Sequence, residues 1–135
     1  MAHCKREILF STLDIPKHLG LFYSQRFMAK NDLQGTLDLL VLKTLSQKGS
    51  LHGYGIALHI QKASDELLRV EEGSLYPALH RMEQRGWVKS EWGLTETGRK
   101  AKYYKLTPSG GKHLRVTEKD FEQLVKGVCS MLRYA

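Results

Sequence analysis

The side chains best suited to chemistry cluster in one short run, EGSLYPALHRMEQRG, at positions 72–86. Ser74, Tyr76, Pro77, His80 and Arg81 bring hydroxyls, an imidazole and a guanidinium close together. These groups recognise ligands by hydrogen bond and charge, and none of them is paired with a second group that would make or break a bond. Leu75, Leu79 and Met82 recur at i, i+4 and i+7, which is the apolar stripe of a helix. The polar set is then left for the other side. At the N-terminal end of such a helix, free N–H groups favour an anion beside Ser74 and Tyr76. Arg81 has the planar fork that can grip a guanine edge. Ser74 is expected as the N-cap, so that Pro77 falls in the first turn, where a missing N–H costs nothing. Gly86 suits a left-handed stop.

Catalytic patterns are not apparent. The six histidines, His3, His18, His52, His59, His80 and His113, are scattered. No nucleophile elbow with His and Asp partners occurs, nor any phosphate-cradling loop of the P-loop type. His52 and His59 share a helix face but lack a third ligand. Cys4 and Cys129 form no CxxC pair, so no metal and no cofactor are expected. Both cysteines are read as free thiols of a reducing cytoplasm. No apolar run approaches the ~20 residues needed to cross a bilayer.

The chain has 135 residues and a formal charge of +7. That length suits one modest domain, and that charge favours a polyanionic partner. The charge is uneven. Between 31 and 72 there are four Lys/Arg against six Asp/Glu, whereas 73–105 holds seven against three. The positive excess therefore falls on the polar helix and on the segment after it.

Several elements must hold that helix in place. Leu33, Leu37, Leu40, Val41 and Leu45 predict a helix over 32–47, and Leu39 and Leu42 widen its apolar face. The excess suggests a second surface, such as another subunit. A second helix is expected from about His52 to Lys62, with Ile56, Ile60 and Ala63 inward. Leu67–Glu71 reads as a small strand. After Gly86 the period changes to two, so 87–92 and 102–106 are expected as the arms of a hairpin around a polar turn with two glycines. Thr107-Pro108 opens a last helix, with Thr107 as N-cap and Pro108 at the first position. Along it, Leu114, Phe121 and Val128 repeat every seven residues, as do Thr117, Leu124 and Met131, while Val125 and Leu132 thicken the seam. Such a repeat predicts a helix that pairs with another copy.

This order, three helices, a hairpin and a final helix, is that of a winged helix-turn-helix followed by a dimerisation helix: mostly α, α+β in class. Lys89, Arg99, Lys100 and Lys102 on the wing suit phosphate contacts. Tyr103 and Tyr104 alternate, so one faces the core and the other faces out. Tyr103 is the candidate for a phosphate bond. Leu114, Phe121, Leu124, Val125, Val128, Met131 and Leu132 are the candidate dimer contacts.

At these motifs the chain resembles the PadR family of transcriptional regulators. The likeness rests on LDLLVL (37–42), LHGY (51–54), GSLYPALHRME (73–83), GWV (86–88) and KYYKLTPSG (102–110). It resembles the smaller subtype with a single C-terminal helix. The resemblance implies a cytoplasmic winged-helix homodimer, usually a repressor, on inverted-repeat double-stranded DNA. It maps DNA contact onto Ser74, Tyr76, Arg99, Lys100 and Lys102. It also implies a small aromatic or drug-like effector between the winged domains and the C-terminal helices. Two departures stand out: residues 1–27 have no counterpart, and the C-terminal helix carries Phe121 but no Trp.

The expected organisation is an extension over 1–30, with Met28 a candidate start, a DNA-binding domain over 31–107 and a dimerisation helix over 108–135. Two rival readings remain. One is a winged-helix interaction module without sequence-specific DNA binding. The other is a basic protein lying on anionic membranes through residues 5–27. An enzyme comes last.

Overall fold

The computed structural model describes residues 34–133. The extension, the start at Met28, the 5–27 membrane segment and the domain boundary at 31 lie outside the described residues. The elements in order are α1 (Gln34–Lys48), β1 (Ser50–His52), α2 (Gly53–Ala63), α3 (Glu72–Gln84), β2 (Val88–Leu94), β3 (Lys100–Leu106) and α4 (Pro108–Leu132). The three strands form one antiparallel sheet in the order β1-β3-β2. Its hairpin pairs Val88 with Leu106 at the base and Leu94 with Lys100 at the tip.

α1 is the central helix, touching α2, α3, α4 and the sheet. Leu37, Leu39, Val41, Leu42 and Leu45 are all buried. The second surface expected for its wide apolar face is thus supplied within the chain and not by another subunit. A helix packed on several sides needs apolar residues on several sides. Ile56 and Ile60 of α2, Leu75, Leu79 and Met82 of α3, and Val88 and Tyr104 of the sheet complete the core. Tyr104 is thus the inward member of the tyrosine pair.

Two further readings are corrected. Leu67–Glu71 is irregular chain, and the extra strand is β1, a three-residue piece that pairs with β3. Helix α3 starts at Glu72 with Glu71 as a cap that makes no side-chain bond. Pro77 therefore sits in the second turn, not the first. It has no N–H for the Gly73 carbonyl, and both residues face solvent. Gly86 does take the left-handed stop, at φ 78°.

α4 opens as expected. Thr107 caps it, its hydroxyl oxygen accepting from the Gly110 N–H at 3.0 Å. The same hydroxyl donates to the Gly86 carbonyl at 2.6 Å, and the Thr107 N–H donates to the Trp87 carbonyl at 3.0 Å. The start of α4 is thereby tied to the turn that leaves α3. Gly110 lies so close to this turn that a Cβ there would stand 2.0 Å from the Trp87 carbonyl oxygen. One turn on, His113 stacks on Trp87, with ring centroids 3.7 Å apart. Cys129 is buried and disulfide-bonded, which corrects the free-thiol reading; Cys4 lies outside the described residues.

Helices α2 and α3 form a helix-turn-helix, and β2–β3 is a wing beside it. The molecule is a winged helix with a long C-terminal helix appended.

Candidate nucleic-acid interface

Helix α3 presents its polar residues as the period of its stripe requires. With Leu75, Ala78, Leu79 and Met82 buried, Tyr76, Pro77, His80 and Gln84 are exposed, and Ser74 is half-buried in the first turn. Tyr76 lies over the start of α2, where a Cβ on Gly53 would come within 2.8 Å of its phenol. His52 caps α2 from the same corner, its Nδ1 accepting from the Gly55 N–H at 3.0 Å. The His-Gly-Tyr and Gly-Ser-Leu-Tyr-Pro motifs therefore meet in space. One supplies the cap and a gap, and the other supplies the ring that fills the gap.

Arg81 is not part of this outward face. Its guanidinium donates to Asp38 of α1 at 2.8 Å. Burial pushes the Asp38 carboxyl above the ordinary aspartate range, and Arg81, followed by Arg85 and His113, pulls it back down. Desolvation outweighs these attractions. Arg81 therefore anchors α3 to the central helix, and its fork is already engaged.

The wing splits the predicted cations between two faces, because side chains alternate along a strand. Val88 is buried, so Ser90, Trp92 and Leu94 share its inner side. Their β3 partners Tyr104, Lys102 and Lys100 point the same way. Lys89, Glu91, Tyr103 and Lys105 lie on the outer side. Tyr103 rests on Gly93 and donates its hydroxyl proton to the Leu94 carbonyl at 3.1 Å. Its ring also meets His52 edge-on at 5.3 Å.

On the inner side, Lys102 reaches back to Glu83 of α3 at 3.4 Å, and Ser90 donates to the same carboxylate. The Ser90 bond, with Lys102 behind it, holds Glu83 below the usual glutamate range. Lys100 lies 5.6 Å over the Trp92 ring, and Arg99 is exposed at the end of the turn. Between wing and helix runs an open cleft of about 1060 Å³, walled by Tyr54, Tyr76, Trp92, Arg99, Lys100 and Lys102. Sequence reasoning gave Trp92 and Tyr54 no role. The available signal was Trp92 standing two pleats beyond buried Val88, too far out for the core to cover.

The proposed dimer residues also divide. Leu114 is buried in the molecule's own core and Phe121 packs on it. The first turns of α4 cross the winged domain, so their share of the heptads is used internally. Leu124, Val128, Met131 and Leu132 remain exposed, Met131 by 82%. Val125 is half-buried.

Among the described residues no group of three or more His, Cys, Asp or Glu is placed to hold a metal ion. None of the described helices is long and apolar enough to cross a membrane.

Known proteins share this arrangement. The profile of the Transcriptional regulator PadR-like family matches residues 41–116. A transcriptional regulator of Mycobacterium tuberculosis is 34% identical over 84 residues, covering 62% of this chain and 64% of that protein. A transcriptional regulator from Clostridium thermocellum has a similar structure, with a TM-score of 0.66 and 32% identity over 75% of this chain and 97% of that one. A PadR-like transcriptional regulator from Bacillus cereus superposes with a TM-score of 0.64 at 27% identity, covering 76% of this chain and 97% of that one.

Proposed function

The chain belongs to the PadR-like family of transcriptional regulators, and from that premise we propose that it binds operator DNA as a homodimer and represses transcription. The observation that supports this most is the pairing of an exposed α3 face, Tyr76-Pro77 and His80, with a basic wing across one cleft. α3 would enter the major groove with its N-terminal end leading, and Arg99, Lys100 and Lys102 would hold phosphates beside it. Arg81 is reassigned from base reading to anchoring. Lys89, on the outer side of the wing, has at most a peripheral share, whereas Tyr103 also lines the cleft.

The exposed stripe of Leu124, Val128, Met131 and Leu132 supports pairing through α4. A two-fold dimer would then read a palindromic site with half-sites about one helical turn apart. A small aromatic or drug-like effector, which the family resemblance implies, would act by changing the spacing of the two α3 helices. On this reading the protein would work as a non-enzymatic regulator in the cytoplasm.

A gel shift with the chain's own upstream region tests the proposal. Retention of that fragment at moderate salt, in the presence of excess unrelated DNA, is the expected result. Release of that fragment by unrelated DNA as readily as by unlabelled copies of itself would overturn sequence-specific binding and favour a winged-helix interaction module.

A further inference from the structure

A tryptophan 64% exposed on a short hairpin is out of place on a surface of water and lysines. Trp92 is accompanied on the same strand face by Leu94, 71% exposed. Neither residue belongs to the core. The rim around them is cationic: Arg99, Lys100 and Lys102 line the cleft with Glu96 as the acidic side chain among them. An apolar ring inside a basic rim suits a partner that is apolar in patches and anionic overall. A DNA backbone has that pattern, with a C–H-faced deoxyribose between successive phosphates.

Resting on the DNA-binding reading above, we propose that the cleft between α3 and the wing is a saddle for one DNA strand, in which Trp92 packs against a deoxyribose while Lys100 holds the neighbouring phosphate. The Lys100 ammonium lies over one face of the Trp92 ring, 5.6 Å from its centre, which keeps the cation close to the sugar that the ring would pack against. The ring's position selects the sugar over a base step. Trp92 pairs with Lys102 and lies three residues before the turn that starts at Thr95. That is about 10 Å behind the tip at the rise of a strand. A side chain that wedges between bases has to lead, whereas one on the wall of the hairpin meets the strand that the wing straddles. A protein partner would have to be acidic to suit this rim, whereas every DNA strand carries the alternation of sugar and phosphate.

Sugar packing carries no base information and no charge, which gives it a distinct signature. Affinity of the full chain is measured by fluorescence anisotropy on two 24-bp duplexes, one of random sequence and one selected from a random pool. Each is titrated across salt. Trp92→Ala is expected to weaken both duplexes by about tenfold, as loss of buried apolar area would, with the salt slope unchanged. Trp92→Phe should recover most of that loss. Lys100→Ala should instead flatten the slope by about one phosphate contact per protomer. With only two tryptophans in the chain, acrylamide quenching reports the ring directly. Saturating DNA should protect the wild-type emission and leave that of Trp92→Phe unaltered.

DNA bound at saturation with Trp92 still quenched as in the free protein overturns this inference alone. So does Trp92→Ala binding as wild type, which would assign the ring to another occupant. A changed slope in Trp92→Ala would mean that the ring only positions Lys100. Failure of the wild-type chain to bind either duplex takes down the DNA-binding reading itself, and this inference with it.

Discussion

At the scale of single residues, Arg81 shows how one partner changes a role. Its place on α3 beside His80 suggested a base contact, yet the guanidinium is turned to Asp38, 43 positions away. Periodicity tells which residues face out together. It does not reveal a buried carboxylate on another helix. Trp92 was missed for the converse reason, since a tryptophan on a strand is normally core. The ion pair makes a prediction with a definite sign. Burial, the largest influence, raises the Asp38 carboxyl despite Arg81. Its contribution to stability is therefore complete below the ordinary aspartate pKa and is lost as pH rises through the raised value. Without Arg81, a bare carboxylate would have to stay buried at neutral pH. Urea unfolding of Arg81→Met should show a loss of about 3 kcal/mol at pH 7 that shrinks near pH 4. Asp38→Asn, which removes the charge, should cost less at pH 7. A loss from Arg81→Met that is the same at both pH values would refute the anchoring role.

The elements themselves were largely legible. Three of the four helices and both arms of the wing follow from apolar spacing, and the cap pair Thr107-Pro108 places α4 to the residue. Two features were not legible. β1 is three residues long, too short to carry a period, and exists because β3 offers it a partner. α3 begins two residues before Ser74 because Glu72, an acid in the first turn, extends it. The joint between α3 and α4 is where an element-level test bites. Gly110→Ala forces a methyl into the Trp87 carbonyl, a backbone atom that cannot step aside. It should lower stability by at least about 3 kcal/mol and free Trp87 from its stack on His113, visible in near-ultraviolet circular dichroism. Thr107→Ala removes the cap and its bond to Gly86. It should cost about 1–2 kcal/mol while leaving that spectrum intact. If Gly110→Ala folds as well as wild type, the packing described for this joint is wrong.

At the scale of the whole molecule, the winged helix was legible because its helix order and hairpin come with two motifs that meet at one corner, His52-Gly53-Tyr54 and Tyr76. The division of α4 was not, since a heptad repeat cannot say which turns rest on the parent domain and which are left over. The leftover turns make the dimer prediction specific. Leu124→Lys with Met131→Lys should give a folded monomer by sedimentation velocity and weaken operator binding by at least about a hundredfold, because two linked half-sites become two independent ones. Leu114→Lys should unfold the domain instead. How the molecule meets DNA can be read sugar by sugar, in a hydroxyl-radical footprint of the full chain on a selected duplex. Two protected patches related by a two-fold axis, with centres about one helical turn apart, are the predicted result. Uniform cleavage along a duplex that the protein demonstrably retains would contradict it.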